Sequence, residues 1–122
     1  MNLIEFIKTQ IETVDDLRAL LLFHTHPDVE WDANGIAGKL YIPPAMAREI
    51  ATRLVSRRCV IALGNPPRFR FQPQSPELAE LISELADLDR SRPVSLINLI
   101  YARTKDIQAF ADAFKIKKDK GL

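Results

Sequence analysis

Two histidines one residue apart, His24 and His26, stand just ahead of Pro27 and of three acids at alternate positions, Asp28, Glu30 and Asp32. Imidazole is the commonest transition-metal ligand and carboxylates complete many sites, so the chemistry to test first is a zinc or iron centre. Such a centre would draw on His24, His26 and one nearby acid. The chain offers no third histidine and a single cysteine, Cys59, which cannot hold a structural zinc alone. The simpler reading places both histidines at the end of a helix stopped by Pro27, where a partly positive ring interacts well with the last carbonyls. That reading is the expected one, with no metal and no cofactor.

The letters HTHP also resemble the zinc-dependent deubiquitinase-type peptidases, whose pattern continues with Ser after six residues and Asp after two more. Here those positions hold Asn34 and Ala37, and alanine has no donor atom. An amidohydrolase-type barrel would need about 250 residues and further histidines. No Ser-His-Asp pairing and no Gly-rich phosphate loop is present either, so no catalytic residue is expected and the chain does not read as an enzyme.

The charge pattern is more informative. The net charge is +1, but residues 1–37 carry Lys8 and Arg18 against seven acids. In 38–71 the balance inverts, with Lys39, Arg48, Arg53, Arg57, Arg58, Arg68 and Arg70 facing Glu49 alone. Residues 72–122 hold eight of each sign. A basic segment between acidic and neutral ones is the asymmetry expected of a local anion-binding face. The 122 residues suffice for one domain with its own core. Apolar runs such as 19–23 are too short to span a membrane, and the first ten residues lack the basic and apolar segments of a secretory signal. A cytoplasmic protein is expected. Cys59 has no intrachain partner for a disulfide, and an oxidant-sensing role for it, assisted by the adjacent arginines, competes with that of a small buried hydrophobe.

The elements that must position these charges follow from periodicity. Leu3, Ile4, Ile7 and Ile11 recur at helical spacing, and Thr13 with Asp16 reads as a capping-box variant opening a second helix through Val14, Leu17, Leu20 and Leu21. A short extended link, 29–31, carries Trp31 as an apolar anchor, and Asp32 caps a third helix through Ile36, Ala37 and Leu40. Pro44 suits the first position of a fourth, whose buried stripe is Ala47, Ile50, Ala51, Leu54 and Val55. Ala45, Arg48, Glu49, Thr52, Arg53, Ser56 and Arg57 then face outward. Cys59 to Leu63, a Gly64-Asn65-Pro66-Pro67 turn and RFRF at 68–71 spell a hairpin with Phe69 and Phe71 on the core side. Ser75-Pro76 starts a helix to about Asp89. Another holds Leu96, Ile97, Ile100 and Tyr101, and a last one, capped by Thr104, holds Ile107, Phe110, Ala111 and Phe114. Residues 115–122 read as a flexible tail.

This order, with Trp31 ahead of the third helix, IAGKL, IPPAMAREIATRLVSRR and CVIALGNPPRFRF, resembles winged helix-turn-helix proteins of the bacterial transcription regulator type. With helices before and after, it is similar to the MarR-like arrangement. The resemblance implies a mainly α fold with a small β-hairpin wing, a winged-helix core over 13–72 and a C-terminal helical extension over 75–114. It further implies a recognition helix at about 44–58, a wing at 59–71 and DNA as partner, and a homodimer through the terminal helices is expected because these carry full apolar stripes, including Leu78, Ile82, Leu85, Phe110 and Phe114, beyond what one small core absorbs. The residues themselves support a DNA face. Arg48, Glu49 and Thr52 stand where base edges would be reached, and Arg53, Arg57 and Arg58 near phosphates. Asn65, Arg68 and Arg70 would set the wing against the backbone or in the minor groove. The alternative function is a winged-helix module that binds a protein partner without sequence-specific DNA binding.

Overall fold

Short polar side chains begin most of the helices. In the structure, a computed structural model that describes residues 1–102, α1 (Leu3–Gln10) opens with the Asn2 side chain accepting from the Glu5 N–H at 2.8 Å. Thr13 does the same for α2 (Val14–Thr25), Asp32 for α3 (Ala33–Leu40) and Ser75 for α5 (Pro76–Ser91). Each such cap is worth about 1 kcal/mol. The exception is α4 (Pro44–Ser56), which starts on Pro44 with no side-chain cap. Residues 93–102 are helical again.

Two helix ends use a left-handed residue without glycine. Tyr41 (φ 57°) closes α3, with the Ile42 N–H donating to the Ala37 carbonyl at 3.2 Å. Arg58 (φ 65°) closes α4, where the Arg58 and Cys59 N–H groups donate to the carbonyls of Val55 and Leu54 at 2.9 and 3.0 Å. This is the Schellman pattern, normally built on glycine. The expected helix of 44–58 therefore ends at Ser56, and Arg58 belongs to the reversal that feeds the hairpin.

The hairpin pairs β1 (Val60–Leu63) with β2 (Arg68–Phe71) antiparallel, Val60 opposite Phe71 and Leu63 opposite Arg68. Gly64 supplies the positive φ of its turn. On the outer side of β2, Trp31 exchanges both backbone hydrogen bonds with Phe69, at 2.8 and 2.7 Å, so the 29–31 link ties the wing to the start of α3. Gly35 gives close passage there: a Cβ would lie 3.1 Å from the Asp32 carboxylate and 3.3 Å from the Trp31 ring, so those side chains would have to give by a few tenths of an ångström.

The core is built around α2, which contacts α3, α4, α5 and β2, while α1 packs on α5. Leu17, Leu20 and Phe23 from α2 meet Ile36, Ile50, Leu54, Phe69, Ile82, Leu85 and Leu96, all buried. One expected stripe is corrected: in α1 the buried residues are Phe6 and Ile7, with Ile11 just beyond, whereas Ile4 is exposed. The expected helix capped by Thr104 and the expected tail lie outside the described residues. Among the described residues no helix is long and apolar enough to cross a membrane.

Candidate nucleic-acid interface

The outer face of α4 is set by the burial of the inner one. Ala47, Ile50, Ala51 and Leu54 are buried, which turns Ala45, Arg48, Glu49, Thr52 and Ser56 into solvent along a shallow depression of about 430 Å³. The Thr52 hydroxyl donates to the Arg48 carbonyl at 2.8 Å, keeping its lone pairs free for an outside donor. Arg48 makes no ion pair among the described residues.

Arg48 also lines a second hollow, of about 150 Å³, together with Asn34 of α3 and Pro66, Pro67 and Phe69 of the hairpin. The helix and the wing turn therefore adjoin, with Arg48 at the seam. A neighbouring hollow of about 230 Å³ shares Asp32, Pro66 and Pro67 and adds Asn65 and Arg68 from the wing, and Glu30 from the link before α3. Arg68 is 64% exposed and lies 4.0 Å from Glu30, while Asp32 is engaged by the Gly35 N–H at 2.7 Å. Arg48, Glu49, Thr52, Asn65 and Arg68 are thus brought into one exposed, contiguous region. Asn34, which sequence reasoning met only as a failed metal position, belongs to it, and nothing in local sequence marks it apart from its place at the start of α3.

Arg57 departs from the outward orientation expected of it, and Arg53 does so in part: it still borders the α4 depression, but its guanidinium is turned onto an internal acid. Arg53 donates to the Asp16 carboxylate at 2.7 Å and its Nε lies 3.6 Å from Glu12, close enough to attract but too far for a hydrogen bond. Arg57 reaches Glu12 at 2.9 Å, the second Asp16 oxygen at 4.0 Å and the Gln10 carbonyl. Asp16 is 1% exposed and also accepts from the Glu12 N–H at 3.2 Å. A buried carboxylate needs such partners, since an isolated one would carry a desolvation penalty of several kcal/mol. The hydrogen bond that Arg53 donates to Asp16 raises the Arg53 pKa above its ordinary value, against the opposing effect of burial. Two of the expected phosphate-binding arginines are therefore engaged in fastening α4 to the α1–α2 junction.

Arg58 and Arg70 stand at the other end of the hairpin from its turn. Arg58 lines a hollow of about 540 Å³ with Val55, Ile61 and Pro73, and Arg70 donates to Gln72 at 3.3 Å. Cys59 is buried, and burial pushes its thiol up to about 11 despite the opposing charge of Arg57. The adjacent arginines do not produce a thiolate at neutral pH. His24 and His26 diverge: His24 packs edge-on to Phe71 and lies 3.5 Å from the Ser83 hydroxyl, whereas His26 packs against Trp31. Among the described residues no group of His, Cys, Asp and Glu is placed to hold a metal.

No model of a known protein family matches the chain, and no curated protein matches it. Solved structures do. The crystal structure of RV1404 from Mycobacterium tuberculosis aligns with a TM-score of 0.53 at 16% identity, over 93% of this chain and 80% of that one. A multiple antibiotic-resistance repressor (MarR) from Listeria monocytogenes gives 0.48 at 13% identity, over 88% and 76%. A MarR family protein from Bacillus stearothermophilus gives 0.49 at 14%, over 88% and 81%. At such identity the likeness is one of fold, and the element order agrees with it: the chain is a mainly α winged helix-turn-helix with a two-stranded wing and additional terminal helices.

Proposed function

We propose that this protein is a DNA-binding winged-helix regulator of transcription that docks α4 in the major groove and rests its wing on the neighbouring backbone. A major groove about 12 Å wide admits one helix. In that pose Arg48 reaches the O6 and N7 acceptors of guanine, Glu49 accepts from a cytosine amino group and Thr52 serves either. Asn65 and Arg68 meet the backbone or the minor groove from the wing, with Arg58 and Arg70 as outlying phosphate partners. Arg53 and Arg57 act through Asp16 and Glu12 as positioning residues for the helix.

The observation that supports this reading most is the shared hollow in which Arg48 of α4 adjoins Pro66 and Pro67 of the wing turn. A single polyanion can be gripped from both elements at once. Titration with duplex DNA at several salt concentrations tests it. Binding that weakens log-linearly with salt is expected, because each neutralised phosphate releases counterions. Absence of binding at low salt, or binding without a salt slope, overturns it.

The same proposal includes a homodimer through the terminal helices. Ile82 and Leu85, expected at the dimer seam, are instead buried in the chain's own core, but Met1, Ile4, Val94 and Tyr101 are exposed, and apolar groups left in water favour self-association. Sedimentation equilibrium reads this directly, a single monomeric species at micromolar concentration being the contrary result.

A further inference from the structure

α4 begins in a way unsuited to a reader of bases that works by hydrogen bonds. In helix-turn-helix docking the N-terminal residues of the recognition helix approach the base edges first. Here they are Pro43, Pro44, Ala45 and Met46, none of which carries a hydrogen-bonding side chain. Ala45 is exposed and Met46 is 41% exposed. Just before them Tyr41 is 90% exposed and held at φ 57°, ψ 47°. A left-handed backbone costs a non-glycine residue about 1–2 kcal/mol, and the Tyr41 ring gains almost no burial within the chain to offset it. Two apolar side chains, with the amphipathic Tyr41 ring just ahead of them, therefore stand in water at the start of the helix. Ala45 shares a helical face with Arg48 and Glu49, three and four residues on, so the apolar end continues the row of charged candidates rather than lying behind it.

Resting on the DNA-binding reading above, we infer that this collar of Tyr41, Ala45 and Met46 recognises the C5-methyl group of a pyrimidine in the major groove, beside a G·C pair read by Arg48. The C5-methyl is the apolar feature that a base edge offers there. Methionine suits it, because an unbranched, polarisable thioether adapts to an irregular apolar surface. Arg48, which has no ion-pair partner among the described residues, draws the anionic duplex to this end of the helix and disfavours an uncharged occupant. Thymine and 5-methylcytosine carry the same methyl, and the two are separated experimentally.

The test uses the full chain and the tightest-binding duplex selected from a random library. Each thymine is replaced singly by deoxyuridine, which removes the methyl and nothing else. At one position in each half-site affinity falls about fourfold, the equivalent of one buried methyl at about 0.8 kcal/mol. In Met46→Ala, a substitution at a surface position, the same replacement changes affinity by less than about twofold, and the salt slope stays as in the wild type. Setting 5-methylcytosine against cytosine at that position reads the source: a gain with 5-methylcytosine means the methyl itself is recognised, and no gain restricts the site to thymine. Duplex binding with a normal salt slope but no position sensitive to deoxyuridine overturns this inference and leaves the DNA reading standing. No duplex binding at any salt overturns both, as does a protein partner held by the collar and lost in Tyr41→Ala while duplex is ignored.

Discussion

The arginines of α4 and its C-cap divide into two sets with opposite surroundings. Arg53 and Arg57 are turned onto Asp16, a carboxylate 1% exposed, and onto Glu12, so their charges are already answered inside the protein. Arg48, which precedes both along the helix, is exposed and has no carboxylate partner among the described residues, while its side chain borders the wing turn. One set fastens the helix and the other is free to meet a ligand. The difference teaches that a count of basic residues overstates a binding face, since the acidic block of residues 1–37 folds back to neutralise part of the basic block that follows.

The sharpest way to break this division is Asp16→Ala. It leaves two guanidinium groups facing a vacated interior site, for a loss of about 2–4 kcal/mol of folding stability after allowing for the partial exposure of Arg53. Urea denaturation reads it, and a loss below about 0.5 kcal/mol, the range of an ordinary surface change, would mean that the pairs contribute little.

Next in size is the chemistry of Cys59, which tests whether the inward set activates the neighbouring thiol. With its pKa near 11 rather than 9.0, alkylation at pH 8 runs about a hundredfold slower than for an unperturbed cysteine. The folded thiol keeps its proton to higher pH than the unfolded one. Its contribution to stability is therefore full below about pH 9 and is lost as pH rises through about 11. Rapid labelling of the native protein at neutral pH would contradict this.

Arg48→Ala comes third and has the opposite profile to Asp16→Ala. Stability changes by less than about 0.5 kcal/mol, but duplex affinity falls about tenfold, the loss expected for a base-edge contact. The smallest effect belongs to the wing. Glu30 lies 4.0 Å from Arg68 and competes with phosphate for it, so Glu30→Gln raises duplex affinity about twofold, as for an exposed ion pair. A fall in affinity would show that Glu30 supports the wing rather than restrains it.

Much of the fold was readable in local patterns. Apolar spacing, the Thr13, Asp32 and Ser75 caps, Pro44 and the alternation in RFRF specify α2 through α5 and the hairpin, because each depends on residues within a few positions of one another. The orientation of α1 was only half readable, since Leu3, Ile4, Phe6 and Ile7 offer two overlapping stripes and packing on α5 selects the one with Phe6. The end of α3 at Leu40 was readable, but the end of α4 was hidden because Arg58 occupies a left-handed position that glycine usually marks. In the candidate site the exposed face of α4 follows from periodicity, but the inward turn of Arg53 and Arg57 depends on acids 37 and 45 residues away in sequence. No local rule connects such positions, although the opposed charges of the two blocks pointed to a meeting between them.

The division of labour along α4 is tested most directly by the salt dependence of duplex binding in the wild type and in Arg48→Ala, with folding of both verified by thermal melting. A wild-type slope set by several phosphate contacts, weaker binding by Arg48→Ala at every salt concentration and an unchanged melting temperature are the predicted results. Equal affinities and slopes for the two proteins would contradict the account, because the exposed arginine at the seam of helix and wing would then be playing no part in holding DNA.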